Sequence, residues 1–239
     1  MVKKVISIIS GIAVLVAALS FIAPAQPALT INFSHYVGNK LLRLDSTTYT
    51  NALGQQYTVS KLKYYIGNIC LKKIDGKEFK SSQYFLVNEE DSASKHIALA
   101  DVPEGEYTSL SFTVGVDSLH NCNGAQDGAL DPVNAMYWTW NTGYIFFKME
   151  GKSPVSTSPG HLLEFHIGGY KQPYNCLREV YISLPKGFKI SSNGTINLKT
   201  DLAKFFSSPT DFSKVSSITD FHGAMPMADN YARMFSIKQ

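Results

Sequence analysis

The feature that most constrains the fold of this chain is a period of two in its apolar residues. Residues 30–37 read TINFSHYV, which places Ile31, Phe33 and Val37 on one side of an extended strand. His35 shares that side and is therefore expected to point toward an apolar interior. Further strands are predicted at residues 62–72, 83–87, 107–116, 144–149, 161–167 and 179–184, with a hairpin over 188–199 that turns at Asn193-Gly194.

Short strands dominate the pattern, and they are separated by Gly, Pro and Asn. Short helices are predicted only at residues 201–206 and 229–235. Because strands and helices do not alternate regularly, the sequence predicts an all-β fold, an antiparallel β-sandwich with short helices in loops and near the C-terminus. No repeat or second boundary interrupts residues 26–239, which we interpret as a single domain.

The first 25 residues are typical of an export signal. Lys3 and Lys4 precede a run without charge from Val5 to Ala23, and Ala23-Pro24-Ala25 fits a small-x-small cleavage site. An uncleaved membrane anchor is the alternative, but the cleavage motif favours removal of residues 1–25. We therefore expect a periplasmic or secreted protein with no stable membrane anchor after cleavage.

The charge balance argues against a nucleic-acid partner. The chain has 22 Lys and Arg against 19 Asp and Glu, and without Lys3 and Lys4 the balance is 20 against 19. No basic cluster accompanies this near-neutral charge. Motifs of common enzymes, such as Gly-x-Ser-x-Gly or His-Glu-x-x-His, are also missing from the sequence, so we do not expect an enzyme.

Three cysteines are present, and an exported protein allows them to pair. Cys122 and Cys176 lie in polar, turn-rich contexts, HNCNG and YNCLR, and are predicted to form a disulfide. Cys70 follows Ile69 in an apolar run and is predicted to be a buried thiol.

The loop over residues 117–132, DSLHNCNGAQDGALDP, carries closely spaced side-chain oxygens. Such oxygens can coordinate a calcium ion. The candidate ligands are Asp117, Asn121, Asn123, Asp127 and Asp131. The alternative is that these residues make turns, with Asp131-Pro132 as the cap and first residue of a short helix. We favour the second interpretation.

Both tryptophans lie in MYWTWNTGYIFFKMEG, residues 136–151. If the segment is extended at Met136, then Met136, Trp138 and Trp140 line one face; if a helical turn persists, Met136 and Trp140 align instead. Packing in the core is the simplest role for such large aromatic rings.

Several ordered motifs together resemble one family. They are KYYIGNICL (63–71), VGVDS (114–118), GALDP (128–132), residues 136–151, FHIGG (165–169) and DNYARMF (229–235). The combination resembles the MbnP-like family, periplasmic copper-binding proteins associated with methanobactin operons and also found outside them. The resemblance spans nearly all of residues 26–239.

The resemblance implies a β-sandwich that binds copper and acts in copper acquisition or homeostasis. In some members a tryptophan is converted to kynurenine by a partner dihaem enzyme related to MauG and to cytochrome c peroxidases. Opening of the indole leaves an aromatic amine and a carbonyl, which can ligate a metal beside imidazoles. Trp138 and Trp140 are the implied modification targets, and we expect them near the surface that meets the dihaem protein.

Copper ligands are expected among the histidines, because imidazole is the usual nitrogen ligand and at least two must converge. His166 stands beside Gly168-Gly169, His35 lies on the apolar side of the first strand, and His222 opens HGAMPM, whose Met225 and Met227 suit Cu(I). The alternative for each is structural: a core histidine, a sheet hydrogen bond, or gap-filling methionines. The chain also departs from the best-described relatives, which carry a histidine two residues from the modified tryptophan.

A carbohydrate-binding or surface-adhesion module is the rival interpretation. Such a module would use Tyr137, Trp138 and Trp140 as an exposed stacking platform and the Asp/Asn loop as a calcium clamp. A sugar binder keeps both indoles intact and shifts its tryptophan fluorescence with glycan, whereas the fluorescence of a copper binder is quenched by metal and not by sugar.

Overall fold

The computed structural model describes residues 29–124, 126–138, 143–191, 193–207, 210–221 and 223–238. The predicted export signal, Trp140 and His222 lie outside the described residues. No helix in the described part of the chain is both long enough and apolar enough to cross a bilayer.

Strands form most of the regular structure. In chain order they are β1 (Leu29–Val37), β2 (Lys40–Leu41), β3 (Tyr49–Thr50), β4 (Gln56–Lys73), β5 (Glu78–Ser81), β6 (Phe85–Asn88), β7 (His96–Leu99), β8 (Gly105–Val114), β9 (Tyr137–Trp138), β10 (Gly143–Lys152), β11 (Leu162–Gly168), β12 (Arg178–Ser183), β13 (Lys189–Ile190), β14 (Gly194–Asp201), β15 (Ser217–Ile218) and β16 (Phe235–Ile237). The helices are α1 (Ser118–Cys122) and α2 (Ala224–Tyr231), with 3-10 turns at Ala93–Lys95, Gly128–Leu130, Pro132–Asn134, Pro159–His161 and Leu202–Phe206. The predicted all-β class is confirmed.

Two sheets make up the sandwich. The smaller has the order β16-β14-β1-β2, with β7 also paired to β1. The larger has the order β12-β8-β4-β10-β11-β15, with β3, β5 and β6 paired to β4, β9 to β10 and β13 to β8. The long β4 therefore lies at the centre of the larger sheet.

Aromatic side chains fill the space between the sheets. Phe33 of β1 meets Tyr64 of β4 and Phe112 of β8 edge-on, with ring centroids 6.2 Å apart in both pairs. Phe235 of β16 lies 6.3 Å from Phe33 and 5.6 Å from Tyr64. Such edge-to-face contacts add to the free energy of burying the rings. Alternate residues of β1 are buried, as the period of two predicts.

The predicted hairpin over residues 188–199 is wrong. β13 pairs with β8, whereas β14 pairs in parallel with β1, from Leu29 opposite Gly194 to Tyr36 opposite Asp201. The reason is burial: in this register Ile196 and Leu198 face the same interior as the apolar side of β1.

A bulge in β4 corrects the prediction for Cys70. The register with β8 shifts between Gly67 and Cys70, and Asn68 has a φ of 48°. The extra residue turns Ile69 into the core and leaves Cys70 half-buried on the outer side of the larger sheet. Cys70 is therefore not the core thiol that its apolar neighbours predicted.

Tyr65 and Tyr144 form a buried pair of rings, 5.7 Å apart, beneath the loop that follows β8. The two hydroxyl groups differ in their hydrogen bonds. Tyr144 donates a 2.7 Å hydrogen bond to the carbonyl of Leu130, whereas the Tyr65 hydroxyl has no hydrogen-bond partner among the described residues. A buried polar group without a partner costs about 1–3 kcal/mol.

We predict that Tyr65→Phe leaves the free energy of unfolding unchanged or raises it, because only an unsatisfied hydroxyl is removed. Tyr144→Phe is the matched control and should lose about 1 kcal/mol, since it breaks a buried hydrogen bond. Urea unfolding of both variants measures the difference. Equal losses in the two would mean that Tyr65 has a buried partner.

Candidate functional site

Trp138 lies in β9, opposite Gly143 of β10. The segment is extended here, so Met136 and Trp138 point to the same side, which is the first of the two predicted alternatives. Both are buried, with exposed fractions of 0% and 5%. Our expectation that Trp138 lies at the surface is wrong, and Trp140 is outside the described residues.

Gly168 explains the burial of Trp138. The indole lies directly on this residue, and a Cβ built there would be 2.7 Å from Cζ3 of Trp138 and 2.5 Å from the carbonyl oxygen of Tyr144. Only glycine allows such a close approach of backbone and ring. The ring of Phe221 packs edge-on against Trp138 at 5.7 Å, and Tyr174 stacks on Phe221 at 6.4 Å. Trp138 therefore does not offer the exposed stacking face that the carbohydrate interpretation requires.

His166 lies on the same strand as Gly168, two residues earlier and on the same side. Two residues along a strand span about 7 Å, so the imidazole and the indole that covers Gly168 are neighbours. His166 stands opposite Lys148 of β10, which stands opposite Lys63 of β4. All three side chains are on the outer side of the larger sheet.

The contact between His166 and Glu150 fixes the imidazole. Nε2 of His166 donates to Oε1 of Glu150 at 2.9 Å, and Nζ of Lys61 binds Oε2 at 3.0 Å. The hydrogen bond from His166, opposed by partial burial and helped by Lys61, lowers the pKa of Glu150 to about 2. Glu150 is therefore ionised at neutral pH.

This contact also determines which ring nitrogen is free. An ionised carboxylate only accepts hydrogen bonds, so Nε2 of His166 carries the proton and the neutral ring keeps its lone pair on Nδ1. Within the described ranges nothing is hydrogen-bonded to Nδ1. A histidine whose other nitrogen donates to a carboxylate is the usual arrangement of a metal ligand.

Lysines tie the Trp138 segment to the sheet. Nζ of Lys148 donates to the carbonyl of Ala135 at 2.6 Å, and Nζ of Lys63 approaches the carbonyl of Asn134 at 3.5 Å. Ala135 has a φ of 55°, a left-handed conformation that ends the turn before β9. Burial lowers the pKa of Lys148. Lys148 and Glu150 were not among the predicted site residues, although charged residues in the apolar strand FFKMEG were a usable signal.

His35 occupies the interior between the sheets and is 2% exposed. Its Nδ1 lies 2.5 Å from Oε2 of Glu89, and its Nε2 lies 2.8 Å from the hydroxyl of Tyr64. Burial lowers the pKa of His35, against the opposing effect of Glu89. Both ring nitrogens are therefore engaged, as in a core histidine.

The predicted convergence of His35 and His166 is wrong. His35 contacts Tyr64 on the inner side of the larger sheet, whereas His166 projects from the outer side. The reason is that Tyr64 and Lys63 are consecutive in β4 and point in opposite directions. Across the described ranges, no three His, Cys, Asp or Glu side chains come together as a metal site. His222 lies outside those ranges.

The Asp/Asn loop is held by its own hydrogen bonds. Asp117 caps α1 by accepting from the backbone N–H of His120, and it also accepts from the hydroxyl of Tyr84 at 2.8 Å. Asn121 is buried; its amide donates to the carbonyl of Val116, and its side-chain oxygen accepts from the N–H of Tyr144.

The rest of the loop follows the capping interpretation. Asp131 accepts from the N–H of Val133, and Pro132 is the first residue of the 3-10 turn, as predicted. Asp127 makes no capping bond through its side chain, and Asn123 is exposed at the end of α1. A calcium ion here stays a prediction, and it would have to replace the bonds of Asp117, Asn121 and Asp131.

The predicted disulfide is not formed, and Cys70, Cys122 and Cys176, all within the described residues, are free. Cys176 is fully buried, whereas Cys122 is exposed at the end of α1, where its thiol lies 3.7 Å from the hydroxyl of Tyr170. The two side chains thus point into different environments, which their similar sequence contexts did not reveal.

The lowered pKa of His35 makes stability depend on pH. Below about pH 6.5 His35 takes up a proton in the unfolded chain but stays neutral in the folded chain. The free energy of unfolding therefore falls as the pH falls toward the pKa of His35 in the folded state. The slope for one proton is at most about 1.4 kcal/mol per pH unit. We predict that His35→Gln flattens the dependence of urea stability between about pH 7 and pH 5.

His96→Gln is the matched control, because it removes an exposed histidine in place of the buried one. An unchanged slope in His35→Gln would show that His35 binds protons equally in the folded and unfolded states, which would contradict a lowered pKa.

Comparison with known proteins supports one family. The family model described as MbnP matches residues 26–222. Among solved structures, MbnP from Methylosinus trichosporium matches with a TM-score of 0.52 over 85% of this chain and 86% of that chain, at 16% identity, a likeness of fold alone. Comparison with curated protein sequences gave no significant match. Because the family model covers most of the sequence, the chain belongs to the MbnP family.

Proposed function

We propose that this protein is an exported, non-catalytic copper-binding protein that acts in copper acquisition or homeostasis. His166 supplies one copper ligand through Nδ1. Trp138 or Trp140 is the target of a dihaem partner of the MauG or cytochrome c peroxidase type. Membership of the MbnP family and the geometry around His166 support this function.

The observation that carries the proposal is the fixed tautomer of His166. Glu150 accepts from Nε2 and leaves the lone pair of Nδ1 without a partner among the described residues. Neutral imidazole is a ligand that suits copper, and a carboxylate behind it orients the ring and raises its basicity. The same side of β11 carries Trp138, on Gly168.

The described residues fit a copper site only in part, because they contribute one free imidazole nitrogen. His222 stays a predicted ligand, and it is adjacent in sequence to Phe221, whose ring contacts Trp138. Met227 is 5% exposed, which favours packing over ligation, while Met225 is partly buried at the edge of the core. Copper bound here would use imidazole nitrogen and, after modification, the amine or carbonyl of the opened indole.

The position of Trp138 is compatible with oxidation from a distance. The indole is buried beneath Phe221, and Tyr174, which keeps 36% of its surface exposed, stacks on Phe221. Electrons can leave such a ring through neighbouring aromatic contacts without direct contact between the indole and the partner. Burial also restricts the opened ring to one orientation after modification.

We predict that protein purified from its native, copper-replete host retains copper and carries a tryptophan that has lost one ring carbon and gained oxygen. Metal analysis and peptide mass mapping of residues 136–151 measure the two properties. Protein from a heterologous host lacking the dihaem partner is the control, and its tryptophans should be intact. Native protein with intact tryptophans and no copper would contradict the proposal.

The role of His166 has a separate test. We predict that His166→Phe abolishes tight copper binding, and that Glu150→Gln weakens it about 10–100-fold, because loss of the carboxylate frees the tautomer. Copper titration against a competing chelator measures both affinities. His96→Ala, at an exposed histidine on the other sheet, should bind as the unaltered chain does. Unchanged affinity in His166→Phe would exclude this residue as a ligand.

A further inference from the structure

A trough crosses the outer side of the larger sheet over β5, β4, β8 and β12. Its volume is about 550 Å³, within the range of small-molecule sites, about 300–1,000 Å³. The middle row of residues runs straight across the four strands: Lys80 is opposite Cys70, Cys70 opposite Ser111, and Ser111 opposite Tyr181. The trough lies on strands remote from His166 in the order of the sheet.

The bulge at Asn68 shapes the floor of the trough. It brings Cys70 onto the outer side, and the side chain of Asn68 donates to the hydroxyl of Thr113 at 3.3 Å. Hydroxyl groups of Ser109, Ser111 and Thr113 line β8 at every second residue. A sheet face built from small hydroxyl residues is concave because taller side chains flank it.

Ser111 offers a hydroxyl in the trough that no other described side chain occupies. It is 7% exposed and lines the trough, yet its hydroxyl makes no hydrogen bond within the part of the chain that the structure describes. Ser109, two residues earlier, pairs with the hydroxyl of Tyr181 at 3.1 Å. The Ser111 oxygen is open to the trough, so a hydroxyl group of a ligand can bond to it as the Tyr181 hydroxyl bonds to Ser109.

The charges around the trough balance. Glu78 and Lys80 form an ion pair of 2.9 Å, and Lys72 and Glu179 add one charge of each sign. The net electrostatic attraction of the trough for an ion of either sign is therefore small. Tyr181 is 66% exposed and offers an aromatic surface beside the hydroxyls. Hydroxyl donors and acceptors next to an exposed aromatic ring match a neutral ligand with many hydroxyl groups.

We propose that this trough binds a short, neutral glycan segment, with a sugar ring packed on Tyr181 and a sugar hydroxyl bonded to Ser111. The site is separate from the copper function and does not depend on it. It also differs from a platform made of Tyr137, Trp138 and Trp140, since Trp138 is buried.

Cys70 provides a reporter for occupancy, because its thiol lies in the middle row of the trough. In a Cys122→Ser background, alkylation of the folded protein reports Cys70, since Cys176 is fully buried. The probes are cellobiose and N,N′-diacetylchitobiose. At a disaccharide concentration about ten times its Kd, the alkylation rate of Cys70 should fall about tenfold, because only the free protein reacts.

Two substitutions decide whether protection comes from the trough. Tyr181→Ala and Ser111→Ala should each return the alkylation rate of Cys70 to its value without disaccharide. Ile74→Ala is the control and should keep the protection, because Ile74 is as exposed as Tyr181, at 66%, but lies outside the trough. Calorimetric titration with both disaccharides measures binding independently of the thiol. Absence of binding heat for both, or protection that survives Tyr181→Ala, would overturn the proposal.

Discussion

The packing of β1 against β4 through Phe33 and Tyr64 is the interaction on which the rest of the structure depends. It joins the two sheets and fixes which side of β4 is the interior. His35 is buried by this contact, and its ring nitrogens are used by Tyr64 and Glu89. The opposite side of the larger sheet is thereby left for both His166 and the trough around Ser111.

Much of the fold was predictable because burial on one face imposes a period of two on each strand. β1, β11 and β12 follow this pattern closely. The prediction failed where local pattern does not determine pairing. β14 pairs with β1, far away in sequence, rather than with β13, and the bulge at Asn68 moves Cys70 to the outer face. The pairing of β14 has no signal in neighbouring residues, whereas Gly67-Asn68 inside an apolar strand was a usable signal for the bulge.

Less of the candidate site could be predicted from the sequence. The position of His166 beside Gly168-Gly169 makes it a candidate ligand, and the structure adds the carboxylate that fixes its tautomer. That partner, Glu150, comes from the neighbouring strand and depends on the register of β10 and β11. The burial of Trp138 depends on Gly168, whose missing side chain makes room for the indole. Contacts of this kind follow from strand register, which composition and spacing do not specify.

The parallel pairing of β1 and β14 has a consequence for how the chain folds. Asn32 and Asn197, which are hydrogen-bonded across this pair, are 165 residues apart. The smaller sheet therefore cannot be completed until both β1 and β14 are available to pair. Pairing between residues so distant in sequence slows folding. A chain that emerged from a pore N-terminus first could not pair β1 with β14 until residues 194–201 had followed.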